Sequence, residues 1–386
     1  MVKYNLTDDT WDKQEYDAIN EVLSTGVFTM GEKTKEYEIK FAENIGSKYA
    51  VMVNSGSSAN LLAVAALVYS KKLQKGDEII VPAVSWSTTY YPLYQYGLKL
   101  NFVDIDLNTL NLDIEKLDGA ITKKTKAIFA VNLLGNPNNY TRIIEACNKY
   151  NLILIEDNCE ALGASFNGKN TGTFGIIGTF STFYSHHIST MEGGVAVTDD
   201  EELYHFMLSL RAHGWTRDLP PYSSVYKKAN DDFYESYNFI LPGYNLRPLE
   251  FEAAVGLKQL EKLNHLVASR RQNAQYYVNS FKDYGKILIQ QEVGQSSWFG
   301  FSILLRDDMK GKRDIVVKEL IRAGIEVRPI VAGNFTKNPV IKYFDYKISG
   351  HLNNADYIHE NGFFVGNHSQ NMTKNIDLLK SSFSVF

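Results

Sequence analysis

The sequence predicts an α/β fold in which a large domain, built on a mostly parallel sheet, is followed by a smaller α+β domain. Two patterns and a length point there. LNFVDID, KAIFAVNLL and LILIED are short continuous apolar runs that end in polar residues, as strands buried on both faces do. Helical stretches alternate with them, the order expected of a parallel sheet covered on both sides. At 386 residues the chain exceeds one ordinary core, so we divide it into a large domain over residues 1–250 and a small C-terminal one over 251–386.

Residues 11–24 put Trp11, Ile19, Val22 and Leu23 on one helical face, with Thr10 in the N-cap position. SANLLAVAALVYSKKL (58–73) is an apolar helix, and QKGDEIIVPAV then turns and enters a strand. The three apolar strands follow, with the compact helix RIIEACNKY between the last two. GTFGIIGTFSTFY and GGVAVTDD add two strands separated by the loop SHHISTME. After a polar stretch over 213–238, FEAAVGLKQLEKLNHLVASRRQNAQYYVNSF is a long helix able to link two domains. GKILIQQ, WFGFSILL and GIEVRPI give strands of the second region, with DIVVKELIRA as a helix before the last. In such a sheet, functional groups belong just beyond the strand ends.

Composition narrows the function. Hydrophobic residues at 44% and charged ones at 22% are ordinary globular usage, which argues against disorder or a fibre. The net charge is -4 and the basic residues are scattered, so no nucleic-acid partner is expected. MVKYNLTDDTWDKQ turns polar at once and no window has the length of a membrane span, so a cytoplasmic protein without a membrane partner is expected. Cys147 and Cys159 are too few for a disulfide framework or a four-cysteine cluster. GxGxxG after the first strand, GxxxxGK[ST], HExxH and GxSxG are all absent.

Several residues can carry chemistry. In NSGSSAN (54–60), Gly56 can make a tight turn so that Ser57, Ser58 and nearby N–H groups face an anion; the alternative is a capped helix and nothing more. Asp157 closes LILIED at a rigid strand end, where it either pairs with a cation or protonated nitrogen or caps the following turn. Trp86 in PAVSWSTTY offers a flat face for an aromatic ligand, or packs in the core. Ser181 precedes the loop holding His186 and His187. Catalysis or ligand contact, surface placement and structural hydrogen bonding are all open for that pair, while a metal site lacks a third ligand.

Taken in order, NSGSSAN, PAVSW, IEDNCEALGA, STFYSHHISTMEGG and GYNLRPLEFEAAVGLKQL resemble the sugar aminotransferases (DegT/DnrJ/EryC1/StrS). The resemblance runs along essentially the whole chain and implies the aspartate aminotransferase-like fold, pyridoxal-phosphate fold type I. It implies that Gly56, Ser57 and Ser181 bind the cofactor phosphate, that Trp86 stacks on its ring and that Asp157 pairs with the ring nitrogen. Glu160 would lie near the cofactor. Asn245 of GYNLR would reach the phosphate in the partner subunit of a homodimer with active sites at the interface.

One departure redirects the expected activity. In the family a lysine six residues before the Glu of EGG anchors the cofactor covalently, and counting back from Glu192 arrives at His186. The branch with this exchange is a group of 3-dehydratases acting on nucleotide-linked keto sugars. One such branch, on a CDP sugar, holds a cysteine-ligated iron–sulfur cluster that two cysteines cannot build. The resemblance therefore implies a cluster-free enzyme that takes the C3 hydroxyl from a GDP-linked keto sugar and releases ammonia. It would use noncovalent pyridoxamine or pyridoxal 5′-phosphate, glutamate as cosubstrate and His186 as acid and base. The alternative is a 4-aminotransferase, or a dehydratase of another sugar nucleotide. Arg247 either caps a helix or recognises the amine donor's carboxylate. Arg211, His213 and Arg217 in RAHGWTR either assist substrate or form salt bridges, and Arg328 and Asn334 in VRPIVAGN fall where the family closes over substrate.

Overall fold

The computed structural model describes residues 2–384 and Phe386. At its centre is an eight-stranded sheet in the spatial order Tyr49–Val53, Gly194–Thr198, Ile177–Ser181, Ile153–Asp157, Thr125–Val131, Glu78–Pro82, Lys99–Val103, Tyr346–Ile348. Gly194–Thr198 runs antiparallel to both neighbours, and the other pairings are parallel. The apolar runs have no polar alternation because both faces are covered. Ala127, Phe129 and Val131 pack with the helix Gly56–Tyr69, while Ile128 and Ala130 pack with the helix Tyr140–Tyr150. Leu62 to Leu67 are all fully buried, so Gly56–Tyr69 is apolar all round.

The first helix is Lys13–Thr25, and its cap is Asp12 rather than Thr10. The Asp12 carboxylate accepts from the Gln14 N–H while Glu15 returns to the Asp12 N–H, a reciprocal pair that Thr10 is too far upstream to make. The Thr10 hydroxyl donates to Gln259 instead, and Leu23 points into solvent.

The long helix Glu250–Phe281 spans two cores. Ala253, Leu260, Leu263 and Val267 pack against Tyr37 and Phe41 of the large domain, whereas Ala274, Tyr277 and Phe281 join the small-domain core. The small sheet has the order Ile287–Leu288, Gly300–Leu305, Gly362–Gly366, Val327–Arg328, antiparallel throughout. GIEVRPI yields only the two residues Val327–Arg328, since Pro329 has no N–H to continue the ladder. Traffic crosses the division at residue 250 in both directions: Tyr4 packs in the small-domain core, and Tyr346–Ile348 closes the edge of the large sheet.

Candidate active site

The ends of the strands Ile153–Asp157 and Ile177–Ser181 and the starts of two helices meet at the C-terminal edge of the large sheet. Ser55 caps the helix that begins at Gly56 by accepting from the Ser58 N–H, which leaves the Gly56 and Ser57 N–H groups without acceptors in the helix. The contact between elements here is close. A Cβ on Gly56 would lie 2.6 Å from Ser181 Cβ and 2.9 Å from Cys159 Sγ, so only glycine fits. The Ser57 hydroxyl donates to Thr88 at 2.9 Å, tying this turn to the helix Ser87–Gln95, of which Trp86 is the N-cap with its indole 57% exposed.

Asp157 ends its strand 5% exposed. Its Oδ2 accepts from Asn60 Nδ2 at 2.9 Å and Thr89 Oγ1 at 2.7 Å, and its Oδ1 accepts from the Cys159 N–H at 3.1 Å. All three donors are neutral, so among the described residues this buried carboxylate has no cationic partner. Asn60 and Thr89 were not singled out in the sequence, although both stand inside quoted motifs, NSGSSAN and PAVSWSTTY. Burial and the nearby Asp157 charge push the Cys159 thiol up, leaving it a neutral packing group. Glu160 accepts from the Leu134 N–H at 2.9 Å; burial and then Asp157 push its carboxyl up to about 7.

The loop after Ser181 is closed on itself: the Thr182 N–H donates to Gly193 O, the Thr190 N–H to Thr182 O and the Tyr184 N–H to Met191 O. Its far end is held from behind by Gln259, which accepts from the Ser189 N–H, and by Trp11, whose indole donates to Ser189 O. The adjacent histidines part company here. His187 is fully buried with Nε2 3.2 Å from Ser297 O, a structural role. His186 is half-buried, its ring 5.0 Å from that of Phe299, with Ser185 Oγ 3.5 Å from Nδ1 and, among the described residues, no protein partner at Nε2. Burial, then the Arg270 guanidinium, push the His186 imidazole down to about 3, so it is neutral near pH 7.

Around this floor lie the arginines. His213, Arg217 and Arg247 gather on one indole: the Arg217 guanidinium sits 4.3 Å and that of Arg247 5.8 Å from the Trp215 ring, with His213 edge-on at 4.8 Å. Arg211 stands apart, buried in an ion pair with Glu38 and donating to Met52 O, a structural tie. Asn245 is exposed and accepts from Arg247 Nε at 3.0 Å; the next residue, Leu246, accepts from the Asn54 N–H beside the Gly56 turn. Arg328 is exposed and shares with Trp86 a cavity of about 580 Å³ between the two domains. Asn334 is 1% exposed, and its amide is spent on Thr336 and Asp356, so it braces the domain junction and does not face the cavity. A larger groove of about 840 Å³, along the second half of the long helix, contains none of these residues.

Residues 9–379 match the DegT/DnrJ/EryC1/StrS aminotransferase family. The chain belongs to that family. Within it, the chain is 58% identical to GDP-4-keto-6-deoxy-D-mannose 3-dehydratase of Escherichia coli O55:H7, over 98% of this chain and 99% of that one. Two crystal structures of GDP-4-keto-6-deoxymannose-3-dehydratase superpose with a TM-score of 0.97 at 56% identity, each covering 98% of this chain and 100% of the other. One is a histidine-to-asparagine variant with bound GDP-perosamine, and the other holds a trapped PLP–glutamate geminal diamine.

Proposed function

We propose that the chain is a coenzyme B6-dependent nucleotide-sugar 3-dehydratase. It removes the C3 hydroxyl from GDP-4-keto-6-deoxy-D-mannose, with glutamate as cosubstrate, and yields GDP-4-keto-3,6-dideoxy-D-mannose and ammonia. The observation that carries this reading is the half-buried neutral imidazole of His186 on the loop that leaves Ser181, in a stretch without lysine from residue 170 to residue 226. Without an amine at that position the cofactor is retained by noncovalent contacts alone.

The residues present fit pyridoxamine or pyridoxal phosphate. The free N–H groups of Gly56 and Ser57 and the Ser181 hydroxyl suit a phosphate. The exposed Trp86 face suits a heteroaromatic ring, and Asp157, buried among neutral donors, suits a protonated ring nitrogen. When bound, the cofactor supplies an amino group and an electron sink that no side chain has. Asp157 keeps the ring nitrogen protonated, and Asn60 and Thr89 fix the carboxylate's orientation. His186 Nε2, neutral and free of protein partners, accepts a proton from carbon and returns it to the departing hydroxyl, and serves again during reamination by glutamate. Glu160 lies close to the cofactor. Arg217, Arg247, His213 and Arg328 supply positive charge and donors for the diphosphate and the donor carboxylate. Asn245, exposed beside the Gly56 turn, reaches a partner subunit's phosphate in a cytoplasmic homodimer.

The test is mass spectrometry of the sugar product after incubating the protein with pyridoxamine phosphate, glutamate and GDP-4-keto-6-deoxymannose, with ammonia assayed in parallel. Loss of the C3 oxygen with ammonia release is expected; a 4-amino sugar that keeps its C3 hydroxyl overturns the reading in favour of an aminotransferase.

A further inference from the structure

Arg270 lies where the long helix passes from the large-domain core to the small one. It is 3% exposed, and its guanidinium donates only to main-chain carbonyls: Nη2 to His186 O at 3.3 Å, and Nη1 to Phe299 O at 3.2 Å and to Asn367 O. Among the described residues it forms no salt bridge, so its charge stays uncompensated in a buried setting. Three segments far apart in sequence thus converge on one planar fork: the loop holding His186, the residue before the strand Gly300–Leu305, and the turn after Gly362–Gly366. Asn367 ties the junction further, donating to Arg270 O at 3.1 Å and Trp298 O at 2.7 Å. Phe299 is also the residue whose ring lies 5.0 Å from the His186 imidazole. The backbone carbonyl of His186 and the aromatic face beside its ring therefore hang from the same guanidinium.

We propose that Arg270 is a positioning residue for the proton transfer: it fixes the His186 backbone and the Phe299 ring against one another and keeps an unpaired positive charge beside the imidazole. Through it the small domain sets the geometry of a group on the large one. This rests on the reading of His186 as the acid and base. Facing the His186 ring are the charge of Arg270 from the long helix, His187 from its own loop, and the uncharged rings of Phe183 and Phe299. His187 feels the same cation and is likewise held neutral by burial and Arg270.

The test uses full-length apo protein with labelled histidine, followed by NMR, the His186 ring signal being assigned by its loss in His186→Asn. In wild type the signal stays that of a neutral ring from pH 7 down to pH 5. In Arg270→Gln it is expected to move while burial still keeps the ring neutral, and in the loaded enzyme kcat should fall about 10²-fold with KM for the sugar nucleotide within about threefold. A folded Arg270→Gln protein whose His186 signal keeps its wild-type position overturns the proposal, whatever the reaction. A displaced signal, in a protein pair that does not dehydrate the sugar, keeps the positioning role and removes the proposed reaction instead. Should Arg270→Gln not fold, Arg270→Lys carries the test, since it keeps the charge and loses the fork. A displaced but untitrated signal with kcat lowered about tenfold is then expected, and wild-type values of both overturn the proposal.

Discussion

Asp157 on the floor of the cleft is 5% exposed with three neutral donors converging on it, whereas Arg217 and Arg247 on the rim lie over the Trp215 ring near solvent. The Asp157 part of the floor is finished before any ligand arrives. The Asp157 carboxylate is satisfied by Asn60, Thr89 and a backbone N–H, and the close approach at Gly56 leaves no room for a methyl group. The rim is held by stacking and by one hydrogen bond from each guanidinium, Arg217 to Ser236 O and Arg247 to Asn245, which leaves the remaining donors for a ligand. Polar groups that must not move are buried and paired, and those that meet a variable ligand are left exposed.

The sharpest way to break this contrast is at the floor. His186→Asn is expected to lower dehydration by about 10² to 10⁴-fold, the usual range for a lost acid–base group. Cofactor retention should change little, so product mass spectrometry and cofactor absorbance after gel filtration should separate. Equal loss of both would mean that His186 holds the cofactor and does not move protons. Next in size is Gly56→Ala. A Cβ 2.6 Å from Ser181 forces the strand and helix apart, so overpacking should cost about 1–3 kcal/mol of stability. Fluorescence titration should show cofactor affinity weakened about tenfold or more, the equivalent of at least about 1.4 kcal/mol.

A rim substitution should behave differently. Arg217→Ala is expected to raise KM for the sugar nucleotide about tenfold while kcat stays within about threefold, as loss of uniform binding does. A fall in kcat of the same size, read in steady-state kinetics, would move Arg217 into the reacting geometry.

The smallest effect is on the pH dependence of stability, where two floor residues pull in opposite directions. The His186 imidazole sits at about 3 in the folded chain against 6.5 ordinarily, so the unfolded chain binds the extra proton and stability falls as pH drops from about 6.5. Glu160 sits at about 7 against 4.5, so the folded chain holds the extra proton, and that contribution is lost as pH rises from about 4.5 through 7. Urea unfolding of the apo proteins should show His186→Asn gaining on wild type as pH falls from 7 to 5, and Glu160→Gln gaining as pH rises over the same window. Parallel behaviour of the two variants would show that burial does not dominate one of these groups.

Much of this site was legible because it sits on short, locally ordered motifs. NSGSSAN carries both the turn and the Asn60 that orients Asp157; LILIED ends on Asp157 itself; the spacing from Glu192 finds His186. Other side chains answer to distant partners that no short motif records. Asn334 reads as a ligand contact in VRPIVAGN, yet its amide is consumed by Asp356, which lies 22 positions further on. Arg211 and Arg217 share one short motif, but Glu38 draws the first into the core and Trp215 holds the second at the surface. Gly362–Gly366, an inner strand of the small sheet, is a five-residue apolar run with no alternation to mark it.

By itself the sequence determined the alternation of apolar strands and helices, the family, and the replacement of the anchoring lysine by His186, because periodicity and motif spacing are local properties of the chain. Only the tertiary structure decided which of two adjacent histidines is free, what holds it and what charge stands beside it. Those depend on Ser297, Phe299 and Asn367 meeting His187, His186 and Arg270 across separations of up to 113 positions, between His186 and Phe299. A buried imidazole's protonation is set by the desolvation and fields of groups brought near it by folding, and no local pattern records them.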